Sequence, residues 1–163
     1  MTGTPSCVLI DGRSGAGKTL LAAELAAKEG AVVVSIDDVY PGWDGLDAGS
    51  WQIHHFLLRP RQAGLPGRYQ PWLWGENRRG DWVEVPADLP LIVEGCGALR
   101  LDTPTEFTRR IWLETPDEVR FRRALERDGQ MYAPHWRRWA LQEERFLALH
   151  RSPELATEIH TLG

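Results

Sequence analysis

Residues 12–19 read Gly-Arg-Ser-Gly-Ala-Gly-Lys-Thr, and these eight residues are the strongest indication of the fold. It matches the pattern G-x-x-x-x-G-K-[ST] and lies between a short apolar run, 7–10, and an amphipathic run, 18–29. Glycines allow such a loop to turn its backbone N–H groups toward a polyphosphate, and the following helix adds the positive end of its dipole. The stretch, called the phosphate loop below, therefore predicts a strand, a nucleotide phosphate site and a helix in that order.

Each residue type in the phosphate loop has a chemical reason to be there. Lys18 is expected to neutralise the β and γ phosphates, and the Thr19 hydroxyl is expected to bind Mg²⁺. The residues expected to contact the nucleotide form one segment: Gly12, Ser14, Gly15, Ala16, Gly17, Lys18 and Thr19.

Composition excludes several other classes of protein. The chain has 163 residues, of which 42% are hydrophobic and 26% are charged, as in an ordinary globular domain, so we expect a single domain over 1–163. The net charge of −4 does not provide the positive field of a non-specific nucleic-acid binder, so no nucleic-acid partner is expected. No apolar stretch reaches the ~18 residues of a membrane span, and no membrane association is expected. Oligomeric state stays open.

The two cysteines, Cys7 and Cys96, belong to or adjoin apolar runs and form no CxxC pair. This pattern argues against a disulfide scaffold and against a zinc site, and it favours a reducing cytoplasmic location.

Apolar runs without polar alternation indicate strands that are covered on both faces. Four such runs occur, at 7–10, 31–36, 91–93 and 111–113, and a fifth strand is predicted within 157–162. Helical periodicity is present at 18–29, from 115 to about 127, and over 134–150. The alternation of buried strands with helices predicts a three-layer α/β fold, with a parallel sheet of about five strands and flanking helices. Together with the phosphate loop, this arrangement is typical of the P-loop NTPase fold.

The segment 38–90 has a different composition, with many Gly and Pro residues and five of the eight tryptophans. We predict one helix near 50–62 and then an irregular or hairpin segment, together forming a substrate-binding insert. Trp72 and Trp74 are candidates for an aromatic acceptor pocket, although packing explains them equally well. The adjacent His54 and His55 make a poor metal pair and are assigned to the surface or to a lid.

Carboxylates follow two of the predicted strands. Asp37 and Asp38 come after the second strand and Glu94 after the third, and the carboxyl ends of parallel strands are where open α/β sheets place their sites. Transfer of a phosphoryl group needs an acceptor for the hydroxyl proton and a carboxylate for Mg²⁺ or its waters. Turn formation or helix capping is the alternative explanation for the Asp pair.

Three stretches together resemble uridine kinase and related P-loop nucleoside kinases: I-D-G-R-S-G-A-G-K-T, 35–40 (S-I-D-D-V-Y) and 91–95 (L-I-V-E-G). The resemblance implies that ATP, with Mg²⁺, phosphorylates a hydroxyl of a small-molecule acceptor, a nucleoside above all. It implies that Asp37 takes the hydroxyl proton, Tyr40 lines the substrate pocket, and Glu94 is associated with Mg²⁺. Asp38 becomes a helper in the substrate site or a turn residue.

A basic helix follows the fourth predicted strand. Arg120, Arg123 and Arg127 share one face of it, at steps of three and four residues. P-loop kinases carry a lid at this place, so we assign a lid region to about 120–138 with Arg123 and Arg127 as catalytic candidates. A solvated charged helix is the alternative. Arg137 or Arg138 is a further candidate.

Other details narrow the function without fixing the acceptor. The guanine-reading N-K-x-D motif of GTPases and the L-S-G-G-Q signature of ABC ATPases are both absent. These absences argue against both classes and favour small-molecule kinases among the alternatives. Trp72-Leu73-Trp74 replaces the tyrosine, aspartate and aromatic triplet of the resembled family's base-binding hairpin, and Asn77 stands near its histidine position. Asp44 and Asp47 lie where that family reaches for a ribose diol. A kinase of another small alcohol (a sugar, an antibiotic or a vitamin precursor) and a nucleotide-binding regulatory module with little turnover remain alternatives.

Overall fold

The computed structural model describes residues 5–104, 108–129 and 133–161. Its centre is a five-stranded parallel sheet in the order β2-β7-β1-β8-β9. The sheet strands are β1 (Cys7–Gly12), β2 (Val32–Ser35), β7 (Leu91–Glu94), β8 (Thr108–Glu114) and β9 (Glu158–Thr161). This arrangement confirms the predicted fold class and the four predicted strands, and β9 lies within the fifth.

Burial on both faces explains why the strand sequences do not alternate. In β1, Leu9 packs into the core on one side of the sheet and Ile10 into the core on the other. The β1 register pairs Leu9 with Val93 on one side and with Arg110 on the other. The phosphate loop therefore leaves the middle strand of the sheet, between two neighbours.

The helices flank this sheet close to their predicted positions. They are α1 (Lys18–Glu29), α4 (Asp117–Asp128), α5 (Trp136–His150) and the short α6 (Ser152–Leu155). Gly30 ends α1 in a left-handed conformation, with φ of 64°. The predicted helix over 134–150 begins at Trp136 because a 3₁₀ turn, Ala133–His135, precedes it.

The insert between β2 and β7 begins with a 3₁₀ turn, Ile36–Asp38, and continues into a long helical segment. That segment consists of α2 (Leu46–Gln52), a π-helical stretch (Ile53–Leu58) and α3 (Arg59–Gln62), so it starts four residues before the predicted position.

Two antiparallel ribbons complete the insert, as the hairpin prediction allowed. Strand β3 (Gly67–Tyr69) pairs with β6 (Val83–Val85), and β4 (Trp72–Leu73) pairs with β5 (Arg78–Arg79).

The assignment of His54 to the surface or a lid was wrong. The ring is 2% exposed, with Nδ1 hydrogen-bonded to the Ser50 carbonyl (2.8 Å) and Nε2 to the Thr103 hydroxyl (3.1 Å). Burial lowers the pKa of His54 to about 4 because the charged imidazolium would lose its hydration there. It is a neutral core residue.

Within the described ranges, none of the helices has the length and apolar character needed to cross a bilayer. Cys7 and Cys96 are both buried and free.

Candidate active site

The phosphate loop connects β1 to α1 through two glycines with positive φ. Gly15 has φ of 80° and Gly17, directly before α1, has φ of 100°. A β-carbon at Gly15 would lie 2.1 Å from the carbonyl oxygen of Arg120. Glycine is therefore required at Gly15 both by the turn and by the close approach of α4.

Lys18 lies buried inside this loop. Its ammonium donates to the carbonyls of Gly12 (2.9 Å) and Arg13 (3.0 Å), and the Cys96 sulfur is 3.7 Å away. Burial disfavours the charged ammonium, but the acidic groups around it, Cys96, Asp37, Glu94 and Glu143 among them, outweigh that effect and raise the pKa of Lys18. The charge that phosphate binding needs is thus maintained in the interior.

Thr19 and Glu94 form an oxygen pair at the start of α1. The Thr19 hydroxyl donates to Oε1 of Glu94 at 3.2 Å. The Glu94 carboxyl is 2% exposed, and this burial raises its pKa. A hydrogen bond from the Ser35 side chain lowers the pKa, but by less than burial raises it. A hydroxyl and one carboxylate suit Mg²⁺, which takes most of its ligands from phosphates and water. Within 5–104, 108–129 and 133–161, no group of three or more His, Cys, Asp or Glu residues is arranged to bind a metal by itself.

Asp37 lies at the carboxyl end of β2, in the short 3₁₀ turn. Its carboxylate is half exposed and lies 3.9 Å from the Arg127 guanidinium of α4. The next residue, Asp38, is exposed, and its pKa is raised by partial burial and by the charge of Asp37. Of the two carboxylates, Asp37 is the one whose charge reaches both Lys18 and Arg127.

Aromatic side chains lie beside Asp37. The indole N–H of Trp74 donates to the Asp37 carbonyl at 3.1 Å, and Trp43 meets Trp74 edge-on at 5.3 Å. Trp43 also stacks on His135, with ring centroids 4.3 Å apart. Trp72 is partly exposed in β4, and its buried indole nitrogen has no hydrogen-bond partner among the described residues. Trp74 is therefore the predicted pocket tryptophan that the structure brings to Asp37.

Tyr40, which the resemblance assigns to the substrate pocket, is a buried residue. Its side chain is 2% exposed, its hydroxyl donates to the Cys96 carbonyl at 2.5 Å, and its ring packs against Trp139 at 4.7 Å. A buried hydroxyl that is already engaged is not positioned to contact an acceptor. Tyr40 instead supports the loop that follows β7.

Helix α4 extends from the phosphate loop to Asp37. Arg120 is 4% exposed, and its guanidinium donates to the Ser14 carbonyl at 3.1 Å and pairs with Asp117. Seven residues later, about 10 Å along the helix, Arg127 reaches Asp37. Arg123 is exposed on the same helix. Of the proposed lid region, residues 130–132 lie outside the described residues.

Of the remaining candidates, the two carboxylates on the acceptor side form ion pairs. Asp44 forms a two-pronged pair with Arg138 of α5, in which Nε of Arg138 lies 2.6 Å from Oδ1 of Asp44. Asp47 is exposed, with the Arg100 guanidinium at 3.8 Å. Arg137 is exposed, and Asn77 is a turn residue of the β4–β5 ribbon with φ of 53°.

Sequence reasoning missed two buried carboxylates next to the loop. Asp11 accepts the N–H groups of Gly12 (2.7 Å), Gly97 (3.3 Å) and Leu99 (2.9 Å), and burial raises its pKa to about 7. Glu143 of α5 accepts the Ser14 N–H at 2.6 Å. A signal for Glu143 existed in its spacing, since it lies four residues after the buried Trp139 and three before the buried Phe146.

Comparison with solved structures places this arrangement among known folds. A protein described as a possible uridine kinase from Bacillus stearothermophilus superposes with a TM-score of 0.66 at 18% identity, over 98% of this chain and 90% of that one. A shikimate kinase from Bacteroides thetaiotaomicron superposes with a TM-score of 0.51 at 16% identity, over 94% and 85% of the two chains. The chain has the P-loop kinase fold.

A sugar kinase from Janibacter shares the same P-loop kinase fold, with a TM-score of 0.51 and 16% identity over 96% of this chain and 85% of that one. No protein-family model and no curated protein matches the sequence. The comparisons therefore establish the fold of the chain and do not identify its substrate.

Proposed function

We propose that the protein is an ATP-dependent kinase that transfers the γ-phosphate to a hydroxyl of a small molecule, and that this molecule is a nucleoside. One observation carries the proposal: the carboxylates at the ends of two neighbouring strands both face the phosphate loop and α4, with Glu94 at 3.2 Å from the Thr19 hydroxyl and Asp37 at 3.9 Å from the Arg127 guanidinium. A phosphate site, a base and a metal ligand lie within one electrostatic environment, as phosphoryl transfer requires. The kinases that share the fold support the same reaction class.

The proposed reaction assigns each group a step. Asp37 takes the proton of the acceptor hydroxyl as that oxygen bonds to the γ-phosphorus, while the bond to the β–γ bridging oxygen breaks and ADP leaves. Lys18 follows the charge that develops on the leaving phosphates, and Arg127 stabilises charge on the transferred group. Thr19 and Glu94 would hold Mg²⁺, which when bound neutralises the phosphate oxygens.

A flat acceptor is favoured by the aromatic side of the site. Trp74 lies against Asp37, and Trp43 extends this surface toward His135. Such faces stack on planar groups, so a nucleoside base fits better than an aliphatic acid. The second candidate is another small alcohol, because a sugar kinase and a shikimate kinase share this fold.

Release of ADP across a library of nucleosides and small alcohols tests the proposal. Acceptor-dependent release, with the phosphorylated product identified by mass, supports a kinase and names its acceptor class. Tight ATP binding without release for any acceptor would instead support the nucleotide-binding module with little turnover.

A further inference from the structure

Glu143 lies outside the chemistry assigned above, yet its carboxylate contacts the phosphate loop directly. Oε2 accepts the Ser14 backbone N–H at 2.6 Å, and Oε1 lies 3.2 Å from Nε of Arg13. The Cys96 thiol is 3.2 Å from Oε2. The side chain is 3% exposed, and a carboxylate this deeply buried is tolerated only where donors compensate for its lost hydration. Two of these donors belong to the phosphate loop.

The same arm of the loop also positions Lys18. The Lys18 ammonium donates to the carbonyl of Arg13, whose side chain is held by Glu143. The backbone N–H of the next residue, Ser14, donates to Glu143, and its carbonyl accepts a hydrogen bond from the Arg120 guanidinium of α4. The geometry of the loop between Gly12 and Ser14 is thus set by α5 from one side and by α4 from the other.

Helix α5 is itself held in place by side-chain contacts, so the position of the Glu143 carboxylate relative to the phosphate loop is fixed. Arg138 pairs with Asp44, and Gln142 both donates to the Trp43 carbonyl and accepts the Leu46 N–H (3.3 Å). These contacts attach α5 to the segment that enters the insert. A shift of α5 would move Glu143 relative to Ser14.

We propose that Glu143 is a positioning residue for nucleotide binding: it holds the Arg13–Ser14 arm so that the loop backbone and Lys18 present a preformed phosphate site. Preorganisation of this kind raises affinity because the ligand need not order the loop on binding. The link to phosphoryl transfer rests on the proposed function, whereas the link to nucleotide binding does not.

The test measures the dissociation constant of ATP by calorimetry, together with thermal unfolding, for Glu143→Gln and Glu143→Ala. Loss of a charge-assisted hydrogen bond predicts ATP binding weakened by about 10-fold or more in Glu143→Ala. Glu143→Gln, which keeps one acceptor for the Ser14 N–H, should recover part of that loss. Glu144→Gln is the matched control, because Glu144 is the exposed neighbour that faces the same arginine, at 4.0 Å.

Two results would overturn the proposal. Unchanged ATP affinity in a folded Glu143→Gln and Glu143→Ala pair, even with lowered unfolding temperature, would leave Glu143 a purely structural residue. Tighter ATP binding would mean that the carboxylate competes with phosphate instead of preparing its site. If Glu143→Ala does not fold, weakened affinity in folded Glu143→Gln supports the proposal and unchanged affinity overturns it. Because the readout is ATP binding, the outcome is independent of whether an acceptor is ever phosphorylated.

Discussion

Lys18 is the central side chain of the candidate site. It carries a positive charge in the interior, 8% exposed, and two loop carbonyls occupy its donors. A phosphate would replace those carbonyls as the partner of the ammonium, so binding exchanges one set of hydrogen bonds for a stronger, charge-assisted set. The lysine is therefore held ready within the loop.

Replacement of Lys18 tests the phosphate site. Lys18→Ala should lower kcat by at least ~100-fold and weaken ATP binding, because no other side chain of the loop follows charge onto the leaving phosphates. Turnover is measured by ADP release and folding by circular dichroism. Lys28→Ala, at the exposed end of the same helix, is the control. Normal turnover in folded Lys18→Ala would remove the phosphate-site assignment.

Asp37 and Asp38 provide a matched pair for the proposed base. Asp37→Asn should keep ATP binding nearly intact and lower acceptor-dependent turnover by ~100-fold or more, because the amide cannot take the hydroxyl proton. Asp38→Asn should have a much smaller effect. ATP affinity and turnover are measured for both variants. Loss of ATP binding in Asp37→Asn would reassign Asp37 to metal binding or to the fold.

Helix α4 contacts both the phosphate loop and the Asp37 side of the site. Arg120 at one end is buried against the phosphate loop, whereas Arg127 at the other end is half exposed beside Asp37. The first has the environment of a structural residue and the second that of a residue that can change partners. The two arginines share a helix face but have different surroundings.

This difference predicts the effect of shortening Arg127. Arg127→Ala should lower kcat by about 10-fold or more and leave the acceptor affinity largely unchanged, since a lid arginine acts on charge at the phosphates. Steady-state kinetics against both substrates measure the split between kcat and KM. Arg122→Ala, exposed on the same helix, is the control. An unchanged kcat for Arg127→Ala would mean that this end of α4 is merely solvated.

The π-helical stretch predicts a pH dependence of stability. The pKa of His54 is about 4 in the folded protein against an ordinary value of 6.5, so between those values only the unfolded chain binds the proton. Stability is therefore complete above pH 6.5 and falls as the pH decreases toward 4, by about 3 kcal/mol in total from this group. Urea unfolding of wild type and His54→Gln across this range measures the difference in slope. An equal slope for wild type and His54→Gln would contradict the assignment.

Sequence reasoning predicted the strands, α1 and the phosphate loop because each has a local signature. Lys18–Glu29 follows from apolar spacing with a terminal glycine, and β1 from an apolar run without alternation. The burial of Tyr40 and His54 was not predictable in this way, because it depends on Cys96 and Thr103, which are far away in the chain. Glu143 is a mixed case: its spacing from Trp139 and Phe146 marks the buried face of α5, whereas its partner Ser14, 129 residues away, has no local signature.

The sheet, the insert and α4 each contribute a residue to the surroundings of Asp37. Trp74 belongs to the insert, Asp37 follows β2, and Arg127 belongs to α4. Closure of the site around both substrates would exclude water before transfer, as kinases require to avoid ATP hydrolysis. Tryptophan emission reports such a change, since two tryptophans of the insert lie at the site.

A non-hydrolysable ATP analogue alone should therefore shift tryptophan emission modestly, and addition of the acceptor should shift it further. Trp74→Phe should remove most of the second change, because Trp74 contacts Asp37, the proposed base for the acceptor hydroxyl. Trp82→Phe should not, since Trp82 packs on Phe56 and Arg68 elsewhere in the insert. A full acceptor-induced shift without nucleotide would contradict the coupling between the two substrates.

The insert leaves the sheet after β2 and returns to it at the adjacent strand, β7, where Ser35 pairs with Glu94. Its two ends are thus anchored to neighbouring strands of the sheet. Under the proposed function, exchange of the intervening segment would alter acceptor choice and leave the phosphate loop in place. The contacts of Gln142 with Trp43 and Leu46 mark the boundary of such an exchange. A graft that begins after Leu46 would keep the junction with α5, and acceptor preference could then be transplanted between distant members of this fold.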